Sequence, residues 1–312
     1  MNSFAFLNFS FDLDKPRGFF AKLFNKEQPL RVDALKNVRS AQGKTIEGMF
    51  LSAKLGAQQQ ADLCFEKVLE AAELAQRSGV KVLGVERCPV DFEGRASSIN
   101  KRMRLALSDG NLFTAWSVYE AVYRVAKQRG LDLKGKRLVI LGALSSLGRI
   151  CAKKFSGSVY NTVICDTDLE ALIKFREEIL ALNPCSVTVE PQVNKAIKGA
   201  DIIISIDEGL EMFLQPQDFQ NSSIICDVSI SKELAKRQDL PSGLSVINGG
   251  LIRMPYSEDI ISASLAQAML LTFEEKFNHA FGDTPNLDKV EDIADIAVRH
   301  GFEVWVPQAP VM

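Results

Sequence analysis

Residues 137–166 read RLVILGALSSLGRICAKKFSGSVYNTVICD, and this stretch decides the fold. The largely apolar run Arg137–Leu141 predicts a strand that is buried on both faces, which is typical of a parallel sheet. A glycine-bounded loop, Gly142–Gly148, follows it and leads into residues with helical spacing. A second short strand, Thr162–Cys165, ends at Asp166. A strand, a glycine loop, a helix, a strand and an acid in this order predict a dinucleotide-binding unit.

Strands and helices also alternate on both sides of this unit. Helical spacing is clearest in Thr114–Gln128, where apolar residues recur every three or four positions and Gly130 follows as a stop signal. Further apolar runs predict four more strands, at Ser186–Glu190, Ile202–Ile206, Ile224–Val228 and Leu244–Ile247. We therefore predict an α/β fold with a Rossmann-type doubly wound parallel sheet.

The glycine loop and the acid suggest where a cofactor would bind. Such loops use one glycine for a tight turn, one where the backbone meets the pyrophosphate and one where the helix packs on the strand. Gly142 and Gly148 fit the first and third positions. Ser145 or a neighbouring residue takes the second, where a serine hydroxyl could donate to phosphate. Asp166 is placed to bind the ribose hydroxyls, which favours NAD over NADP. In the alternative interpretation, the glycines serve only a strand-to-helix turn. The candidate cofactor-binding residues are Gly142, Ala143, Ser145, Ser146, Leu147, Gly148 and Asp166, with Ser205 and Asp227 at the ends of later strands.

The rest of the chain predicts a second α/β domain. We expect an N-terminal substrate domain at 1–108, a dinucleotide-binding domain at 109–260 and a C-terminal helical tail at 261–312. The tail would pack back on the first domain, and the substrate would lie in the cleft between the domains. The predicted outer elements are strands Phe4–Phe9, Ile46–Leu51 and Lys81–Val85 and helices Ala57–Arg77, Ser262–His279 and Asp288–Arg299.

Composition excludes several classes of function. The 312 residues carry 37 Lys and Arg against 39 Asp and Glu, and this balance argues against nucleic acid as a partner. With two histidines and six scattered cysteines, we expect no metal site and reduced thiols in a cytoplasmic protein. The longest uncharged apolar run, Ile260–Phe273, is shorter than the ~20 residues of a transmembrane span, and no signal peptide is evident.

One segment leaves the relation to membranes open. Residues 15–26, KPRGFFAKLFNK, combine basic and aromatic side chains. They predict either a membrane-surface helix, which would make the protein membrane-peripheral, or an aromatic face that docks on the core, and we prefer the second. The sequence does not fix the oligomeric state.

Several stretches occur together, in the same order, in one known family. They are SAQGKTIEG at 40–48, GNLFTA at 110–115, NGG at 248–250, AQAMLL at 266–271 followed by Phe273 and Glu274, and AVRHGF at 297–302. On these stretches the chain resembles the cyanobacterial long-chain acyl-(acyl-carrier-protein) reductases, which make fatty aldehydes. The resemblance implies NADPH-dependent reduction of an acyl chain held as a thioester on a cysteine, and acyl carrier protein as a partner. Here Ser264 stands at the position of that cysteine, and Asp166 lies where the family has a basic residue.

The remaining candidates surround the predicted cleft. Asn111 and Thr114 at a helix start either cap the helix or face the nicotinamide and the substrate carbonyl. The Asn-Gly-Gly stretch follows a strand, where glycines allow a ligand to approach or form a plain turn. Ser264 has no obvious activating base nearby in the sequence, and Cys226 is either a relocated nucleophile or a buried, inert thiol. The candidate catalytic residues are Ser264, Asn111 and Thr114, and the candidate substrate-binding residues are Asn248, Gly249 and Gly250.

Three functions remain open. The first is an NAD-dependent oxidoreductase that transfers hydride to or from an aldehyde, ketone or alcohol without a covalent intermediate, with NADP as the less favoured cofactor. The second is the reaction of the family, the reduction of acyl-ACP or acyl-CoA to a fatty aldehyde. Ser264, or a cysteine elsewhere in the chain, would then replace the usual nucleophile. The third is a non-catalytic protein that binds NAD or an acyl-type ligand.

Overall fold

Two large sheets flanked by helices, together with a small third sheet, make up the α/β architecture of the computed structural model. The structure describes residues 2–12, 30–56, 61–86, 99, 101–206, 214–229, 232–279 and 286–306. The basic and aromatic segment at 15–26, whose role the sequence left open, lies outside these described residues.

The first sheet has five strands in the order β2-β3-β1-β4-β5. Its strands are β1 (Ser3–Asp12), β2 (Arg31–Arg39), β3 (Thr45–Gly56), β4 (Val82–Val85) and β5 (Ala106–Ser108). All neighbours pair in parallel except β2, which runs antiparallel to β3 at one edge. Helix α1 (Ala61–Arg77) packs its alanine-rich side on one face of this sheet.

The second sheet has six parallel strands in the order β11-β10-β9-β6-β7-β8. The strands are β6 (Arg137–Leu141), β7 (Asn161–Cys165), β8 (Val187–Val189), β9 (Ile202–Ser205), β10 (Ile224–Asp227) and β11 (Ser245–Asn248). Its helices are α2 (Asn111–Gln128), α3 (Ser146–Phe155), α4 (Leu169–Leu182), α5 (Val193–Ala196) and α6 (Glu233–Lys236). The chain winds outward from β6 in both directions, so the predicted doubly wound parallel sheet is confirmed, with its switch point between β6 and β9.

The C-terminal part joins the two sheets. It holds a small antiparallel sheet of β12 (Leu251–Arg253), β13 (Ile260–Ser262) and β14 (Glu303–Val304), with helices α7 (Ala263–Phe273) and α8 (Leu287–His300). Every residue of α7 is buried, which suits a helix that is apolar on all sides. Helix α7 lies between the first sheet and α2, whereas α8 packs on α2 and α3.

An ionic cluster ties the C-terminal part to the N-terminal one. The carboxylate of Glu274 lies 2.7 Å from Nε2 of His300 and near the cations of Lys44 and Arg299. The hydrogen bond with His300, and then the two cations, hold the pKa of Glu274 below its usual range against the opposing effect of burial. His300 is fully buried and stacks on Phe273. Several of the stretches that carry the family resemblance therefore meet in one structural cluster.

Five strands were not predicted, and each has a physical reason. Strand β2 is an edge strand rich in charge, and β5, β12, β13 and β14 are only two or three residues long. Such pieces show no periodicity over enough residues to be recognised. Pairing with longer neighbours forms them, so tertiary context decides their structure.

Candidate functional site

The carboxyl ends of the second sheet bring the predicted residues into one row. In register, Asn248 lies beside Asp227, Asp227 beside Ser205, Ser205 beside Leu141, and Leu141 beside Cys165. The glycine loop directly follows β6, and the acid predicted to bind ribose directly follows β7. In doubly wound sheets, this edge at the switch point is where ligands bind.

The glycine loop has the backbone geometry that its sequence predicts. Gly142 has φ of +80°, a left-handed conformation that suits glycine. A Cβ at Gly148 would lie 2.1 Å from the carbonyl oxygen of Gly142 and 2.9 Å from the backbone of Ala143. The two glycines therefore take the tight-turn and helix-packing positions of the fingerprint.

Ser145 differs from its predicted role. Its hydroxyl donates to the carbonyl of Gly142 at 2.8 Å and accepts from the amide of Gly148 at 3.1 Å, so it caps α3. The expectation that this hydroxyl donates to phosphate is therefore corrected, because its proton already points to a backbone oxygen. The amides of Ser146 and Leu147 donate to no acceptor in the described part of the chain. At the start of α3, these two donors suit an anion.

Asp166 points toward the glycine loop. Its Oδ2 accepts from the amide of Leu144 at 3.0 Å, and its Oδ1 accepts from the amide of Thr167 at 2.7 Å. Oδ1 also accepts from the hydroxyl of Thr167 at 3.5 Å, whereas Oδ2 can still accept a second hydrogen bond. The acid can therefore hold the loop and still bind a ribose hydroxyl.

Ser264 has a carboxylate partner that is remote in the sequence. Its hydroxyl donates to Oε1 of Glu86 at 3.1 Å, and the hydroxyl of Ser262 donates to Oε2 of the same carboxylate at 2.8 Å. Ser262 also caps α7 by accepting from the amide of Leu265. Glu86 directly follows β4, so the carboxyl edge of the first sheet places a carboxylate beside Ser264.

The residue directly before α2 lies in close contact with Ser264. Gly110 has φ of +73°, and a Cβ there would lie 2.3 Å from Cα and 2.9 Å from Oγ of Ser264. Gly110 occupies the N-cap position directly before α2, so the expectation that Asn111 or Thr114 caps the helix is wrong. The buried hydroxyl of Thr114 donates back to the carbonyl of Gly110. Asn111 follows Gly110, and its side chain forms no hydrogen bond with a described residue.

The Asn-Gly-Gly stretch connects the two carboxyl edges. A Cβ at Gly249 would lie 2.8 Å from both Sγ of Cys226 and Cγ2 of Val228, so glycine is required by packing within the protein. The carbonyl of Gly250 accepts from the amide of Ala263, which begins α7. The stretch is therefore more than a plain turn. Oδ1 of Asn248 is buried and has no hydrogen-bond partner among the described residues, so it can accept from a ligand.

A lysine that the sequence analysis missed lies at the same edge. Nζ of Lys232 donates to the carbonyl of Asp227 at 3.0 Å and to that of Gly249 at 3.2 Å. The buried carboxylate of Asp227 accepts from both the amide and the hydroxyl of Ser229. Burial raises the pKa of the neighbouring Cys226 thiol far above its usual range, although Lys232 opposes the shift. Cys226 is therefore a buried, inert thiol and not a nucleophile.

Sequence reasoning found one edge of the site and missed the other. Glu86 ends the short apolar run of β4, and an acid directly after such a run is the signal that could have identified it. Ligands bind at the carboxyl ends of parallel strands, and both sheets have such an edge. Lys232 lies in a stretch without periodicity and offers no comparable signal.

The described residues contain neither a cluster of metal ligands nor a membrane-spanning helix. Within these ranges, no group of three or more potential metal ligands occurs. No helix in the same part of the chain is long and apolar enough to cross a bilayer. The described cysteines form no disulfide, and all of them except Cys185 are buried.

The fold and the site define an α/β protein with a doubly wound sheet and a glycine loop at its switch point. No protein-family model matches the chain. The chain is 24% identical to the long-chain acyl-[acyl-carrier-protein] reductase of Synechococcus elongatus, over 90% of this chain and 89% of that protein. This is a distant similarity that spans most of both chains.

Solved structures give weaker likenesses. Quinate dehydrogenase from Corynebacterium glutamicum, in complex with NAD, is 11% identical with a TM-score of 0.43, over 94% of this chain and 98% of that one. Shikimate 5-dehydrogenase from Listeria monocytogenes, in complex with shikimate and NAD, is 14% identical with a TM-score of 0.39, over 94% and 96%. Because these TM-scores are low, we assign the fold from the order of the strands in this chain and not from these solved structures.

Proposed function

We propose that the protein is an NAD-dependent oxidoreductase that transfers hydride to or from an aldehyde, ketone or alcohol without a covalent intermediate. The observation that carries this proposal is the Gly142–Gly148 loop at the switch point, with two amides at the start of α3 that have no acceptor among the described residues. Such a terminus binds a pyrophosphate through backbone N–H groups and the positive end of the helix dipole. The distant similarity to a reductase agrees with redox chemistry.

The residues of this edge fit a dinucleotide. The loop would hold the pyrophosphate, and Asp166 would accept the hydroxyls of the adenosine ribose while its charge disfavours a 2′-phosphate. Ser205 and Asp227 end the next two strands, and Oδ1 of Asn248 supplies a buried acceptor beyond them. When bound, NAD supplies the hydride chemistry, and the protein supplies orientation and proton transfer.

Ser264 and Glu86 are the proton-transfer groups of this proposal. Oxidation of an alcohol breaks its C–H bond as a hydride and its O–H bond as a proton. The Ser264 hydroxyl takes the substrate proton while its own proton passes to Glu86, along the 3.1 Å hydrogen bond. Reduction of a carbonyl runs the same path backward. Thr114 supports the site by position only, because its hydroxyl is bonded to Gly110.

Titration with NADH tests the proposal. The wild-type protein should quench or enhance NADH fluorescence with saturation below millimolar concentration. Asp166→Ala should weaken NADH more than NADPH. Asp166→Asn is the comparison variant, because its one side-chain oxygen can still accept from the amide of Leu144, whereas the charge and the second acceptor oxygen are lost. Absence of both NADH and NADPH binding at millimolar concentration would leave only the non-catalytic acyl-ligand binder. An equal effect of Asp166→Ala on both dinucleotides would remove the role of Asp166.

Reduction of acyl-ACP or acyl-CoA to a fatty aldehyde is the second candidate. The similarity to the Synechococcus elongatus enzyme favours it, because the name of that enzyme gives an acyl-(acyl-carrier-protein) substrate. It requires residue 264 or another residue to hold the acyl group. Oxidation of NADH or NADPH on addition of hexanoyl-CoA, with release of hexanal, would favour this candidate over the first.

A further inference from the structure

Two side chains of opposite charge hold Leu144 in the glycine loop. Its amide donates to Oδ2 of Asp166 at 3.0 Å, and its carbonyl accepts from Nε of Arg149 at 3.1 Å. Because both side chains bond the backbone of one residue, the Arg149 guanidinium lies close to the carboxylate that would bind the adenosine ribose. Arg149 lies in the first turn of α3, the helix whose start would bind the pyrophosphate. The adenosine end of the proposed cofactor site therefore contains a cation as well as an acid.

The guanidinium of Arg149 is fixed in place and still has donors to offer. It lies 4.6 Å from the centre of the ring of buried Phe175, which restricts its position. Nε bonds Leu144, and Nη1 reaches Oε1 of Glu178 at 3.4 Å. The other N–H groups of Arg149 have no acceptor in the described part of the chain, and the side chain is 21% exposed. An arginine of this kind suits a phosphate, which it can bind through two parallel hydrogen bonds.

Glu178 competes with such a phosphate for the same cation. Its carboxylate, on α4, lies 3.4 Å from Nη1 of Arg149 and 3.0 Å from Nζ of Lys153. The Lys153 side chain is nearly buried, so the shorter ion pair anchors Glu178 beside the guanidinium. Because Glu178 has the same sign of charge as a phosphate, its contact with Arg149 weakens the attraction between Arg149 and a phosphate.

We propose that Arg149 and Glu178, together with Asp166, set the choice between NAD and NADP. Arg149 is the residue that would bind the 2′-phosphate of NADP. Glu178 keeps the guanidinium engaged, and it thereby adds to the preference for NAD that the charge of Asp166 creates. This inference rests on the proposed function, and it adds that the discrimination depends on a side chain of α4, outside the dinucleotide fingerprint.

Neutralisation of Glu178 tests the proposal by binding alone. In fluorescence titrations, Glu178→Gln should tighten NADPH by about threefold or more, because an exposed ion pair is lost, and should leave NADH within about twofold. Glu177→Gln is the matched control, because it removes the same charge at the next position, where the carboxylate pairs with Arg176 and not with Arg149. The control should leave the ratio of the two dissociation constants unchanged.

Removal of the cation should have the opposite effect. Arg149→Met should weaken NADPH at least ~10-fold more than NADH, because a hydrogen bond between two charged groups is lost only with NADPH. Methionine keeps an apolar contact with Phe175. The lost bond to Leu144 affects both dinucleotides alike, so a purely structural role of Arg149 would leave the ratio unchanged. In the Arg149→Met background, Glu178→Gln should no longer favour NADPH.

The outcomes separate this inference from the proposed function. If the variants bind both dinucleotides with the wild-type ratio, the inference is overturned and the proposed function stands. If the wild-type protein binds NADH alone, NADPH binding should appear in Glu178→Gln, and its continued absence at millimolar concentration would also overturn the inference. Binding of neither dinucleotide by the wild-type protein would remove the inference and the proposed function together. Circular dichroism melts of each variant show that the compared proteins are folded.

Discussion

Replacement of Gly148 by alanine gives the sharpest test of the glycine loop. The new Cβ would lie 2.1 Å from the carbonyl oxygen of Gly142 and 2.9 Å from backbone atoms of Ala143. An ordinary contact is above 3.4 Å, and the obstructing atoms are backbone, so β6 and α3 must move apart by about 1 Å. Overpacking of this kind costs about 1–3 kcal/mol, and the rigid partners place Gly148→Ala near the upper end.

The assay is thermal unfolding followed by circular dichroism, with Gly135→Ala as the control. No atom lies within 4 Å of the place that a Cβ at Gly135 would take, and this glycine has no positive φ, so alanine there should leave stability unchanged or slightly higher. A loss near 3 kcal/mol lowers Tm by about 6–12 °C in a protein or domain of 150–250 residues. Equal Tm values for the two variants would refute the packing argument and the placement of the loop against α3.

Three further outcomes follow from single contacts. Ser145→Ala removes the cap of α3 and should cost about 1 kcal/mol in urea unfolding, and an unchanged midpoint would contradict the capping geometry. Because the pKa of Glu274 is lowered in the folded state, its ionised form should stabilise the protein above the usual carboxyl range and lose this effect as the pH falls. In Glu274→Gln, the free energy of unfolding should therefore fall less steeply as the pH is lowered than in the wild-type protein. Parallel pH dependences of the two proteins would argue against the ionic cluster. Iodoacetamide at pH 8 should label Cys185 well before Cys226 in the folded protein, as peptide mapping can show, and the reverse order would contradict the burial of Cys226.

Local patterns predicted the second sheet well because its strands are buried on both faces. The run Arg137–Leu141 is a strand with the same bounds in the structure, and the helix predicted from Asp288 to Arg299 differs by one residue at each end. The glycine loop was predictable because Gly142 and Gly148 each answer a local steric need. The spacing of these two glycines reflects a tight turn and a contact between the helix and the loop. Both features involve few other residues, so the local sequence is enough to predict them.

The pairing of Ser264 with Glu86 was not predictable because it depends on long-range placement. Glu86 and Ser264 are far apart in the sequence, and neither lies in a motif that refers to the other. Ser145 and Thr114 show the same limit on a smaller scale. Their residue types suggested ligand contacts or caps, and only the structure shows which backbone atom each hydroxyl bonds.

The position of α7 has a consequence for how the chain acquires its structure. The first sheet buries one face against α1 and the other against α7. Helix α7 is synthesised nearly 180 residues after the end of β4, which is about the sequence separation of Glu86 and Ser264. The second sheet, in contrast, is built from one continuous stretch from β6 to β11. During synthesis the part that contains the second sheet can fold first, whereas the N-terminal part keeps one apolar face of its sheet uncovered until the last helices emerge. The N-terminal part of the chain is therefore synthesised first, but its fold is completed last.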